Sequence, residues 1–166
     1  RDKEFKYGMA ITGQIHPGRV LAKKGARAGD HLILTKSIGT GVVSGAVKKG
    51  YADDLQKKAV VDSMAALNKR AAEIIFDQDI HACTDITGFG FIGHAMQMIQ
   101  GTDVGMAIDV NRIPFLPGAL AHAKEDRLPG GLKKNRAHYA SSVDVGTKVD
   151  PARETLLYDP QTSGGL

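Results

Sequence analysis

The stretch "ACTDITGFGFIGHA", residues 82–95, constrains this chain most. It places Gly88, Gly90 and Gly93 in a G-x-G-x-x-G spacing between an apolar run and a helical pattern. Glycines so spaced let a backbone turn sharply and let another backbone or a phosphate approach closely. The chain must therefore change direction here, from an extended segment into a helix over 91–100. One chemistry that uses this spacing is dinucleotide binding, with the pyrophosphate at a helix N-terminus. Asp109 even lies near the distance at which an acid binds a ribose hydroxyl. Two features oppose a Rossmann-type module. "TDIT" interrupts the apolar run before Gly88, and Asp85 brings a carboxylate to the mouth of any bare pyrophosphate site.

That repulsion disappears if a divalent cation sits between Asp85 and the phosphates. Mg2+ commonly takes one or two protein carboxylates and completes its shell with phosphate oxygens and water. The glycines beyond would then offer backbone N–H groups to the same oxygens. On the residues alone, Asp85 is either such a ligand or the cap of the following helix. Two further stretches could face an anion. In "DPQTSGG", residues 159–165, Gln161, Thr162 and Ser163 offer donors ahead of two glycines; the alternative is an ordinary polar turn. In "LPGGLKKN", residues 128–135, a Gly-Gly bend precedes Lys133, Lys134 and Asn135. The six histidines show no H-x-x-x-H spacing, and His94 belongs to the helix after the glycines. Cys83, the single cysteine, reads as a small buried hydrophobe rather than a nucleophile.

Around these motifs the pattern alternates between strand and helix. Residues 7–15, 31–36, 80–84 and 104–110 read as strands, and "RETLLYDP" (153–160) as a last one. A short helix follows Thr40, a possible N-cap, and stops near Gly50. The strongest helix lies within 53–76, where Val60, Met64, Leu67, Ala71, Ile74 and Ile75 recur on one face. Another helix covers 117–126, and 129–150 is loop-rich. This alternation predicts an α/β (α+β mixed) fold, a mixed β-sheet flanked by helices, in one domain over 1–166.

Composition removes several classes. No apolar run is long enough to span a membrane. A net charge of +4 comes from 22 basic against 18 acidic residues, and only 5% of residues are aromatic, which does not suit a nucleic-acid surface. One cysteine fits a reducing, cytoplasmic setting. The chain begins with Arg1 and stops at Leu166 just after a Gly-Gly turn, so the expectation is a fragment of a longer protein.

Taken together, "ACTDITGFGFIGHA", "LPGGLKKN" and "DPQTSGGL" closely resemble selenophosphate synthetase (selenide, water dikinase). "YGMAITG", "HPGRVLAKKGARAGDHLILTKSIGTG" and "MAALNKRAAE" extend the likeness over nearly the whole chain. The resemblance implies the C-terminal domain fold shared with aminoimidazole ribonucleotide synthetase. It also implies an ATP- and Mg2+-dependent enzyme that makes selenophosphate from selenide and water, releasing AMP and phosphate. Asp85 matches the family's C-domain acid at the Mg2+ ions. Thr84, Thr87, Gly88 and Gly90 match its motif, and Asn135, Gln161, Thr162 and Ser163 would face ATP or its phosphates. The reactive Cys or selenocysteine, the essential Lys and the other Mg-binding Asp residues belong to an N-terminal ATP-binding domain. That domain, and the last C-terminal segment, are absent here. The resemblance therefore leaves no catalytic residue within these 166 and an inactive isolated fragment, whereas the full-length protein would be a homodimer. The competing reading is a non-catalytic structural or selenium-handover domain whose basic doublets meet an acidic partner.

Overall fold

The computed structural model describes Gly8 and residues 10–166. Seven α-helices form among them: α1 (Thr40–Lys48), α2 (Asp54–Ala65), α3 (Lys69–Ile75), α4 (Gly90–Ile99), α5 (Ala119–Lys124), α6 (Gly130–Tyr139) and α7 (Pro151–Leu156). α1 packs on α2 and α5, α5 on α7, and α4 on α6. Val42 and Val43 of α1, Val60 of α2, Phe91 and Ile92 of α4, Leu132 of α6 and Leu156 of α7 meet in one core with Ile38, Leu116 and Tyr158. Among the described residues no helix is long and apolar enough to cross a membrane.

Side chains cap the starts of α2 and α7. The Asp53 carboxylate accepts from the Gln56 amide (2.8 Å), and Asp150 does the same for Ala152 beside Pro151. The expected long helix within 53–76 is two helices, because Ala66 turns extended (ψ 125°) at the end of α2. Its apolar face is correspondingly divided: Val60 is buried, whereas Leu67 is 80% exposed. Thr40 begins α1 as expected, but it is the first helical residue, behind Gly39. The loop-rich region yields α6, and "RETLLYDP" is not a strand, since its first half completes α7.

The expected mixed sheet is not present among the described residues. The strand-type pairing among those residues is one parallel bridge between Ile38 and Phe115. Ile38 donates to the Pro114 carbonyl (3.0 Å) and accepts from the Leu116 amide (2.9 Å). Segments 31–36, 80–84 and 104–109 carry no strand ladder, and Val110 opens a short 3-10 turn. Their cross-chain contacts are isolated bonds, such as Cys83 N–H to Ala22 (2.9 Å) and Thr35 N–H to Leu166 (3.1 Å). In the first expected strand, residues 10–15 are exposed coil; Tyr7 and Met9 lie outside the described residues. The reason is visible at 104–110, where Met106, Ile108 and Val110 turn inward and Gly105, Ala107 and Asp109 outward. Period-two burial is satisfied there by packing against the helical core. Alternation reports which side is buried, not whether a neighbouring strand is paired.

Leu156 is fully buried and Leu67 is not. Leu156→Ala is expected to lower unfolding free energy by about 2–5 kcal/mol, and Leu67→Ala by less than about 0.5 kcal/mol. Urea unfolding of the two variants checks this; equal losses would contradict the exposure of Leu67.

Candidate functional site

α1 starts without a side-chain cap of its own, because its N-cap is Gly39 (φ 126°). The cap comes from the other end of the chain. Gln161 Oε1 accepts from the amides of Gly39 (3.1 Å) and Thr40 (3.2 Å), with Thr40 Oγ1 also at 3.2 Å. Asp159 Oδ2 accepts from the Gly41 amide (2.9 Å) and from Gln161 Nε2 (3.0 Å). Thr162 N–H donates to Thr40 Oγ1 (2.9 Å). Close approach requires Gly41: a Cβ there would lie 2.6 Å from Asp159 Oδ1 and from the Pro160 carbonyl. The "DPQTSGG" loop is thus locked onto α1.

The same loop holds the "TDITGFG" stretch. Gln161 N–H donates to the Thr87 carbonyl (2.9 Å), and Ile86 N–H to that of Gly165 (2.9 Å). Gly90 opens α4 at φ +72°, with the Tyr158 backbone 2.8 Å from where its Cβ would be. Only glycine meets both demands without strain. Asn135 of α6 closes the arrangement, its Nδ2 donating to the carbonyls of Gly88 (2.8 Å) and Tyr158 (3.0 Å). Thr87, Gly88, Gly90, Asn135 and Gln161 therefore share one hydrogen-bonded wall.

The surface of this wall is what a ligand would meet. Asp85, Gly88, Thr162 and Ser163 are exposed, and Thr84 and Thr87 are half-buried. Thr84 Oγ1 donates to the Asp85 backbone carbonyl (3.3 Å), and the Asp85 carboxylate has no hydrogen-bond partner among the described residues. No group of three or more His, Cys, Asp or Glu gathers around it among those residues. One open carboxylate beside a glycine turn fits Mg2+ as a single ligand within a shell completed by other oxygens. Asp85 does not cap α4, whose N-cap is Phe89. The Gln161 amide is buried and spent on α1, so its role is to hold the loop.

Behind the wall lie groups that the sequence reading passed over or left without a role. Thr87 N–H donates to His94 Nε2 (3.1 Å), which places the ring proton on Nδ1, a buried atom with no partner. Burial holds the His94 pKa below its usual value, and the negative charge of Asp85 works against that. Burial, then the Asp85 charge, raises the Cys83 pKa, so this residue stays a thiol. Asp159 is fully buried with Oδ1 unpartnered, and burial pushes its pKa from 3.8 up to about 7. In the sequence Asp159 signals only a turn. The absence of a strong cap before "TGVVSG" is the sole hint that α1 needs a distant one.

A cavity of about 1070 Å3 lies elsewhere, between segments 26–34, 78–82 and 104–109. His81 stands on its lining with Nδ1 2.7 Å from Asp30, and neither Asp85 nor any of Thr84, Thr87, Gly88, Asn135 and Gln161 lines it. Asp109, the acid of the dinucleotide alternative, accepts from its own Asn111 amide (3.0 Å). With no parallel sheet before the glycines, the Rossmann arrangement is not formed among the described residues.

Residues 27–128 match the family described as AIR synthase related protein, C-terminal domain. The chain belongs to this family. Over 99% of its length it is 47% identical to the selenide, water dikinase of Pelobacter propionicus and 43% identical to that of Trichlorobacter lovleyi. It is 46% identical to selenide, water dikinase 2 of Peptoclostridium acidaminophilum over the same share. Each alignment covers 47% of the relative, so this AIR synthase-related chain spans about half the length of the curated relatives it matches. These likenesses bear out the resemblance carried by the three motifs.

Asp159 gives a pH test of the loop lock. Its folded pKa lies above the unfolded value, so its stabilising protonated form is fully present below about pH 4. That contribution falls as pH rises to about 7. Asp159→Asn keeps the acceptor for Gly41 and does not titrate. Its stability relative to the parent is expected to rise between pH 5 and pH 8 in urea unfolding; a pH-independent difference would contradict the assignment.

Proposed function

We propose that this chain is the C-terminal domain of a cytoplasmic selenide, water dikinase, in which it forms one wall of the ATP and Mg2+ site. The convergence of "TDITGFG", Asn135 and "DPQTSGGL" on one hydrogen-bonded surface carries this reading. The full-chain similarity to proteins named selenide, water dikinase supports it. The reaction converts ATP, selenide and water into selenophosphate, AMP and phosphate.

Phosphoryl transfer needs positioning and neutralisation of charge more than covalent help from the protein. Asp85 would hold Mg2+, which neutralises phosphate charge when bound. The Thr87–Gly90 turn brings backbone close to the same region without side-chain bulk, and Thr84, Thr162 and Ser163 present polar groups at its edge. His94 fixes the Thr87 amide from behind. Asn135 fixes the Gly88 carbonyl and so the direction of the turn. These residues bind and orient, and the reacting groups come from the N-terminal domain, through which the full-length protein forms a homodimer.

In the full-length protein, Asp85→Ala is expected to raise the Mg2+ concentration for half-maximal AMP formation by ~10-fold or more. Steady-state assays over a Mg2+ series check this, and wild-type metal dependence would remove Asp85 from the ligand set. The 166-residue chain alone is expected to form no AMP from ATP and selenide.

A further inference from the structure

Among the described residues, Lys36 has no carboxylate partner. Its ammonium donates to three backbone carbonyls, those of Ala66 (2.6 Å), Ser163 (2.9 Å) and Ser63 (3.2 Å). Ser63 and Ala66 belong to the end of α2, where unpaired carbonyls and the negative end of the helix dipole attract a cation. The third bond crosses to the "DPQTSGG" loop, so one side chain ties the loop to a helix end. Ser163 needs such a hold. Its φ of +51° lies in the left-handed region, which a serine adopts only when its surroundings fix it.

The next carbonyls of the turn are also claimed in sequence. Gly164 accepts from Asn68 Nδ2 (2.9 Å), and Gly165 from the Ile86 amide (2.9 Å). Leu166 accepts from the Thr35 amide (3.1 Å). Gly164 lies so close to this stretch that a Cβ on it would be 2.3 Å from the Ile86 carbonyl. The turn is therefore the surface against which Ile86, and with it the adjoining Asp85, is set.

We propose that Lys36 is a positioning residue for the metal-facing carboxylate. By clamping the Ser163–Gly164 turn to the end of α2, it fixes the backbone at Ile86 and hence the placement of Asp85. This rests on the reading of Asp85 as a Mg2+ ligand. Lys36 acts through the turn and touches no reacting atom.

The test uses the full-length protein with Lys36→Met, Lys36→Arg and Asp85→Ala, and two readouts. The first is hydrogen exchange at the Ile86 and Val43 amides; the second is Mn2+ binding by electron paramagnetic resonance with a non-hydrolysable ATP analogue. In Lys36→Met, Ile86 protection is expected to fall ~10-fold or more while Val43, inside α1, keeps its own. Mn2+ affinity is expected to fall ~10-fold, as when a group supporting a metal ligand is lost. Lys36→Arg, which keeps a cation with several donors, is expected to recover most of both. Unchanged Ile86 protection, or unchanged Mn2+ affinity, in Lys36→Met would overturn the proposal. Wild-type Mn2+ affinity in Asp85→Ala would instead refute the ligand reading, leaving Ile86 protection to judge the clamp. Should Lys36→Met fail to fold, Asn68→Ala releases the neighbouring carbonyl and is judged by the same two readouts.

Discussion

The first turn of α1 is a set of buried amides that its own sequence cannot satisfy. Gly39 has no side chain, and Thr40 lies inside the helix rather than ahead of it. Uncapped amides at a buried helix end are costly, so a distant partner is required. Gln161 and Asp159 supply it from more than a hundred residues away. Because α1 also contributes Val42 and Val43 to the centre of the core, capping and packing depend on each other. A carboxylate suits a helix N-terminus, yet full burial of Asp159 outweighs that attraction and favours its protonated form.

Once the loop is seated on α1, the rest of the wall follows. The Gln161 amide reaches Thr87, the Tyr158 carbonyl meets Asn135, and the Tyr158 backbone lies against Gly90. The exposed edge then carries Asp85 and the Thr87–Gly90 turn, while His94 and Asp159 remain behind it in the core. Polar groups are thus divided between those that fix backbone and those left open to a ligand. That division makes a surface suited to contributing one carboxylate to a site completed by another part of the protein.

Much of the site was legible in the sequence because glycine and short polar residues mark where backbones must approach. Gly88, Gly90 and the "DPQTSGG" loop were recognisable for that reason, and the three motifs do converge. The sheet was misread because alternating burial at 104–110 is produced here by a helical core without a paired neighbour. α6 was hidden by its two leading glycines, which look like a bend. Lys36 carried no signal at all, since its partners are backbone carbonyls that any residue supplies. Gln161 stands out in the sequence as a donor beside two glycines, whereas in the structure its buried side chain caps α1.

The proposed role of Asp85 is that of a Mg2+ ligand at the open edge of this wall. The most direct measurement is a crystal structure of the full-length protein with Mg2+ and a non-hydrolysable ATP analogue. The expected result is an Asp85 carboxylate oxygen within about 2.1 Å of a Mg2+ that also binds phosphate oxygens. A complete Mg2+ shell that excludes Asp85, with the Thr87–Gly90 turn remote from the phosphates, would contradict it.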